Sequence, residues 1–269
     1  MNSVQQLYQY RKSISTKPFA ARGWRVVRCQ RCLVAEKFCI CAYRQSSDST
    51  VGFALIMSDG EVLKPSNTGR LIADIIPNTY AFLWKRNQPD EDFLALLDDE
   101  QWQPIIVFPK EYAEPEQVVY DNVPPLLLNN TGKNNEGTAD NLIVKKPLFI
   151  ILDASWREAR RMFRKSPYLH NLPMLSFAAD DPDNEDVQSR YQLREASKNS
   201  HLATAEVAAR TLRIIEEKDT AIHLDLWLDV FIFHYQQSVC QNNKGNMAAL
   251  DNYQQFMHVA ETTCEESEK

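Results

Sequence analysis

Four cysteines fall within thirteen residues, Cys29-Gln-Arg-Cys32 and then Cys39-Ile-Cys41, and no other feature of the chain restricts its local fold as tightly. Two thiol pairs this close let four thiolates converge on one tetrahedral ion, the arrangement by which a segment too short to build its own core is held by a closed zinc site. Buried apolar cysteines or a redox pair are the alternatives. Cys240 and Cys264 stand alone, which reads as reduced thiols and favours a cytoplasmic compartment over a disulfide framework.

Charge separates this segment from the rest of the chain. Residues 1–44 hold nine Lys or Arg against one acid, Glu36, a formal +8, so the remainder carries −14 of a chain whose net charge is −6. Such asymmetry points to a basic arm that docks on a polyanion, with a solvated tail as the plainer reading. Residues 1–27 are expected to form the arm and 28–45 the knuckle.

At 269 residues there is room beyond the knuckle for one large domain, here taken as 46–240, with a helix and an acidic tail over 241–269. Apolar runs at 51–57, 80–84, 104–108, 148–152 and 174–177 read as buried strands. Helical patterns at 68–76, 91–97 and 155–164 separate them, and 203–217, 222–237 and 247–259 follow as a helical tail. This alternation is that of an α/β protein with a parallel sheet, whose ligands sit at the carboxyl ends of strands. The polar stretch 129–141 (NNTGKNNEGTADN) reads as a long loop, and no apolar run approaches a membrane span.

With seven glycines, no two within two residues of each other, neither G-x-G-x-x-G nor a P-loop can be drawn, and the five histidines lack metal-ligand spacing. The strongest chemical candidate is Leu152-Asp153-Ala154-Ser155-Trp156 at a strand end. Asp153 there suits a general base, an anchor for a cationic group, or a cap for the helix starting near Ser155. Arg157, Arg160, Arg161 and Arg164 then recur at helical spacing on one face, which suits an anionic substrate or a solvated surface. Lys64-Pro-Ser-Asn67-Thr68-Gly69-Arg70-Leu71 brings small hydrogen-bonding residues to a turn. Ser189-Arg190-Tyr191 with Arg194, then His201-Leu202-Ala203-Thr204-Ala205-Glu206, has the form of a loop feeding a helix.

The cysteine knuckle, KPSNTGRL, the strand end Val107-Phe108-Pro109, LDASWREARRM and Thr204-Ala-Glu206-Val-Ala occur in the order seen in DTW-domain proteins, and the chain resembles that family over roughly residues 28–240. The name-giving Asp-x-Thr-Trp is Asp153-Ala-Ser155-Trp156 here, which keeps the hydroxyl, and the Glu-Ala of the last motif is Glu206-Val207. The resemblance implies a SPOUT-like sheet with a knotted C-terminal half that binds S-adenosylmethionine (SAM) in loops. It implies transfer of the 3-amino-3-carboxypropyl group of SAM to N3 of a uridine in tRNA, with 5′-methylthioadenosine released. On this reading Asp153, Ser155 and Trp156 are catalytic. Asn67, Thr68, Gly69, Arg70, Phe108, Pro109, Leu152, His201, Leu202, Thr204 and Glu206 bind SAM. Arg157, Arg160, Arg161, Arg164, Arg190 and Arg194 meet RNA, and Cys29, Cys32, Cys39 and Cys41 hold zinc. An RNA methyltransferase of similar fold and a non-catalytic zinc-ribbon RNA-binding protein are the alternatives.

Overall fold

The computed structural model describes residues 1–17, 25–122, 145–177, 189, 191, 202–239 and 243–267, with only the backbone course for 261–267. The expected loop 129–141 and the residues Arg190, Arg194, His201 and Cys240 lie outside the described residues.

Six strands form one sheet in the order β2-β1-β5-β3-β6-β4, with every pairing parallel. They are β1 (Gly52–Met57), β2 (Thr79–Leu83), β3 (Trp102–Val107), β4 (Val119–Tyr120), β5 (Lys146–Asp153) and β6 (Met174–Leu175). The five apolar runs read from the sequence are β1, β2, β3, β5 and β6, and β4, too short to carry a periodicity, is the addition. Helices are α1 (Ser3–Ser13), α2 (Asp59–Val62), α3 (Gly69–Ile75), α4 (Glu91–Asp98), α5 (Trp156–Arg164), α6 (Thr204–Ile214), α7 (Lys218–Val239) and α8 (Ala249–Ser267).

Helices cover both faces of the sheet, which is why β1 is buried at all six positions and reads as a continuous apolar run. The strand period of two still sorts the side chains. Phe53, Leu55, Met57, Phe149 and Ile151 pack in the larger core with α1, α3, α6, α7 and α8. Ala54, Ile56, Leu148, Ile150 and Leu152 pack in the smaller one beneath α4 and α5. Asp153 shares the parity of Phe149 and Ile151, so its side chain emerges on the face that carries α3 and α6.

Part of the expected N-terminal arm is folded onto the domain. Asn2 and Gln5 form a capping box for α1. Ser3 Oγ donates to Thr79 O at 2.6 Å, and Asn2 Nδ2 donates to Asp74 Oδ1 at 2.9 Å. Arg11 grips Asp59 through two guanidinium nitrogens at 2.5 and 2.8 Å. The knuckle is equally embedded, since Cys32, Val34 and Ile40 belong to the larger core and the Arg28 guanidinium lies 5.1 Å from the Tyr235 ring centroid on α7. At the far end Tyr253 of α8 enters that core beside Trp227 of α7.

Candidate active site and cysteine centre

The cysteine turn is closed by Cys29 N donating to Val34 O at 2.9 Å and Leu33 N donating to Cys29 O at 3.1 Å. Leu33 takes the left-handed conformation at φ 58, which costs a non-glycine residue about 1–2 kcal/mol and persists only where the surroundings over-determine it. The two hydrogen bonds that close the turn supply that constraint, and the turn gathers the four Sγ atoms. All lie within 4.8 Å of one another, with Cys29–Cys41 at 3.7 Å and Cys32–Cys39 at 3.8 Å. A zinc–sulfur bond of about 2.3 Å sets a tetrahedron whose edge is about 3.8 Å, so the sulfurs stand where zinc ligands stand. Arg31 N–H also points at Cys29 Sγ, at 3.5 Å, the kind of contact that orients a ligand sulfur. Hydrogen bonding from Cys41 lowers the Cys32 thiol to about 5, whereas Cys41 is pushed up by its bond to Cys32 and Cys39 by burial. A metal taken up here would displace protons from the cluster.

The second centre gathers at the carboxyl end of β5, the central strand, between the segment after β1 and the start of α6. Asp153 is 2% exposed. Asn67 Nδ2 donates to its Oδ2 and Thr204 Oγ1 to its Oδ1, both at 2.7 Å. Gly69 lies so close that an added Cβ would stand 2.3 Å from Asp153 Oδ2, so only glycine fits. Asn67 also donates to Glu61 Oε1 at 3.2 Å, and Glu61 Oε2 holds Lys64 Nζ at 2.7 Å. Thr68 Oγ1 accepts from Ala205 N at 3.3 Å, capping a free amide at the start of α6 from another segment. Glu206 Oε2 accepts from Ala203 N and from Ser189 Oγ, both at 2.7 Å, so it caps its own helix as well as binding the preceding segment. The Tyr191 hydroxyl donates to Ser66 O.

Five of the expected site residues are placed as follows. Asp153 does not cap α5; Ser155 does, with Glu158 Oε2 accepting from its N–H at 3.3 Å and from its hydroxyl at 2.5 Å. Arg70 is 4% exposed and turns back on its own loop, Nε donating to Asn67 O and Nη2 to Lys64 O, each at 3.0 Å. Leu152 and Phe108 have their side chains in the smaller core, on the opposite face of the sheet from the Asp153 carboxylate.

On that opposite face an aromatic group forms. Phe108 stacks on Trp156 at 5.8 Å and on Phe163 at 4.9 Å, and Tyr112 meets Trp156 edge-on at 5.9 Å. Trp156 is half-buried, and Pro109 opens the turn that carries Tyr112. Arg157, Arg160, Arg161 and Arg164 are all exposed along α5, with none in an ion pair among the described residues. The structure thus joins Asn67, Thr68, Gly69, Asp153 and Thr204 directly. It sets Phe108 and Trp156 together elsewhere at the same strand ends and leaves the arginines on the surface.

Two residues at this centre escaped sequence reasoning. Glu61 sits 2% exposed in a four-residue helix whose Asp-Gly-Glu sequence looks like any surface turn. Ser58, at the end of β1, donates its N–H to Asp153 O at 3.1 Å, and its hydroxyl is buried with no hydrogen-bond partner among the described residues.

The family model described as the DTW domain matches residues 26–236, which takes in the knuckle, the β5 terminus and most of α7. No solved structure matches the chain.

Proposed function

The chain belongs to the DTW-domain family, and from that membership we propose that it is a tRNA-modifying transferase that moves the 3-amino-3-carboxypropyl group of SAM to N3 of a uridine. The observation that carries this reading is the convergence of Asn67, Gly69 and Thr204 on Asp153 at the carboxyl end of the central strand, where a parallel sheet places ligands. We read the C-terminal half as SPOUT-like, supported by β5 inserting between β1 and β3, which both precede it in the chain. The four cysteines would hold one zinc ion with no open position, which gives it a structural role.

In the reaction, uridine N3 gives up its weakly acidic imide proton to solvent water and attacks the chain carbon bonded to sulfur. The carbon–sulfur bond breaks with its electron pair going to sulfur, and the neutral thioether methylthioadenosine departs. A sulfonium has three electrophilic carbons, so the pocket selects the product by holding the propyl carbon in line with N3. Asp153, with each oxygen already accepting one hydrogen bond, suits anchoring the cationic end of SAM better than taking the N3 proton. Ser58 Oγ and Thr204 supply further polar contacts. Trp156, half-buried on Phe108, offers a face on which an extruded uracil stacks. The arginines of α5 meet phosphates, and Arg190 and Arg194 are candidates for the same part.

The test incubates unmodified tRNA with SAM labelled separately in its methyl and its propyl carbons. Propyl label entering uridine with methylthioadenosine released is the expected result. Methyl label in the tRNA would assign a methyltransferase, and SAM-independent binding of tRNA with no transfer would assign a binding protein.

A further inference from the structure

A guanidinium stays charged at any physiological pH, and a buried one needs a counter-charge. Arg70 is buried, yet no carboxylate lies within ion-pair distance of it among the described residues. Asp74, one turn further along α3, is already taken: its Oδ1 accepts from Asn2 and Arg44 and its Oδ2 from Trp227. Facing Arg70 across a small cavity are α1, through Gln5 and Tyr8, and the cysteine turn, through Gln30, Arg31 and Leu33. Burial disfavours the charged guanidinium, and Arg31 and Leu33, the residues on either side of Cys32, line the cavity with it.

We propose that Arg70 is the positioning residue that couples the zinc knuckle to the SAM loop. Zinc bound by four thiolates carries a net charge of about −2, and Arg70 is the buried cation placed to balance it. The same guanidinium ties the carbonyls of Lys64 and Asn67, and Asn67 in turn holds Asp153. Metal occupancy thereby supports the shape of the loop on which the candidate active site depends. Two links carry the coupling: the charge pairing between the knuckle and Arg70, and the hydrogen bonds between Arg70 and the loop. The second link's readout rests on the proposed SAM site; the first does not.

Arg70→Met and Arg70→Lys separate the links in the full-length chain. Zinc retention is read by competition with a chromogenic chelator, SAM affinity by calorimetry, and folding by far-UV circular dichroism. Arg70→Met is expected to weaken zinc retention by roughly 10- to 100-fold, the range for groups that support metal ligands from outside the coordination sphere. Arg70→Lys keeps the charge and is expected to hold zinc to within a few-fold of wild type. Its single ammonium cannot span both carbonyls, so its SAM affinity falls with that of Arg70→Met. Stripping zinc from folded wild-type protein is expected to lower SAM affinity as well. Wild-type zinc retention in Arg70→Met, or unchanged SAM affinity in zinc-stripped wild type, overturns the proposal. Should Arg70→Met not fold, the lysine variant and the stripped wild type decide. Should zinc-loaded wild type bind no SAM, the functional reading fails while the zinc measurements still judge the charge pairing.

Discussion

Asp153 draws its chemical character from two donors that reach it from different segments of the chain. A hydrogen bond to a charged acceptor contributes about 1.5–3 kcal/mol, so the pair from Asn67 and Thr204 both stabilises the carboxylate and fixes the loops around it. Asp153→Asn removes the negative charge and replaces one acceptor oxygen with an NH2, so that Thr204 Oγ1 must turn from donor to acceptor. The expected outcome is a loss of SAM affinity of roughly 10- to 100-fold together with turnover, measured by calorimetry and steady-state kinetics. A fall in turnover of about 10²- to 10⁴-fold at unchanged SAM affinity would instead make the carboxylate the general base. Gly69 makes a sharper test, because a Cβ there would press on the Asp153 carboxylate itself. Gly69→Ala is expected to abolish SAM binding while circular dichroism shows the sheet and helices retained.

Helix α5 and the cysteine turn each act as a unit. Four exposed arginines on one helical face attract phosphate through counterion release, a term that does not involve the reacting atoms. Arg160→Glu is accordingly expected to weaken tRNA binding and flatten its salt dependence, lowering the slope of log K against log[salt] by about one or two, while SAM affinity stays near wild type. Equal loss of both would move α5 into the SAM pocket. The turn is tested for a different reason: it packs Cys32, Val34 and Ile40 into the larger core, so losing a metal that holds it would expose that core. Cys29→Ser is expected to lose zinc, seen by elemental analysis, and to lower the melting temperature by several degrees, since each kcal/mol shifts a chain of this size by about 2–4 °C. Unchanged metal content and melting would refute a zinc site.

Across the whole molecule, the segment after the knuckle meets α8 over α7. His223 Nε2 pairs with the Tyr253 hydroxyl at 3.0 Å, and that hydroxyl accepts from Gln45 N at 3.3 Å just after the knuckle. Burial lowers His223 from 6.5 to about 4, so the folded protein keeps it neutral while the unfolded chain protonates it near its ordinary value. Its contribution is fully present above pH 6.5 and is lost as the pH falls toward 4. Asp74, raised by burial to about 6, works in the opposite direction over part of that range, so the comparison must be with a variant. The stability advantage of wild type over His223→Gln is expected to shrink by on the order of 3 kcal/mol between pH 7 and pH 4 in denaturant titrations. Parallel curves for the two proteins would show that this histidine is not the group responsible.

The cysteine spacing, the apolar runs of β1, β3 and β5 and the KPSNTGRL and LDASW segments were legible in the sequence because each is a local pattern: ligand spacing, strand period and turn chemistry are written in consecutive residues. Which face of the sheet each site residue would join was written there too, in the parity of Leu152 against Asp153, but it has meaning only once helices cover both faces. Glu61 and Ser58 left no local signal, because their importance comes from burial at the end of β1. That the Asp153 carboxylate meets Asn67 and Thr204, residues 86 and 51 positions away, and that Arg70 turns inward toward the cysteine turn, was decided by tertiary structure alone. Distances between strand ends depend on the order of strands in the sheet, and no local pattern of residues contains that order.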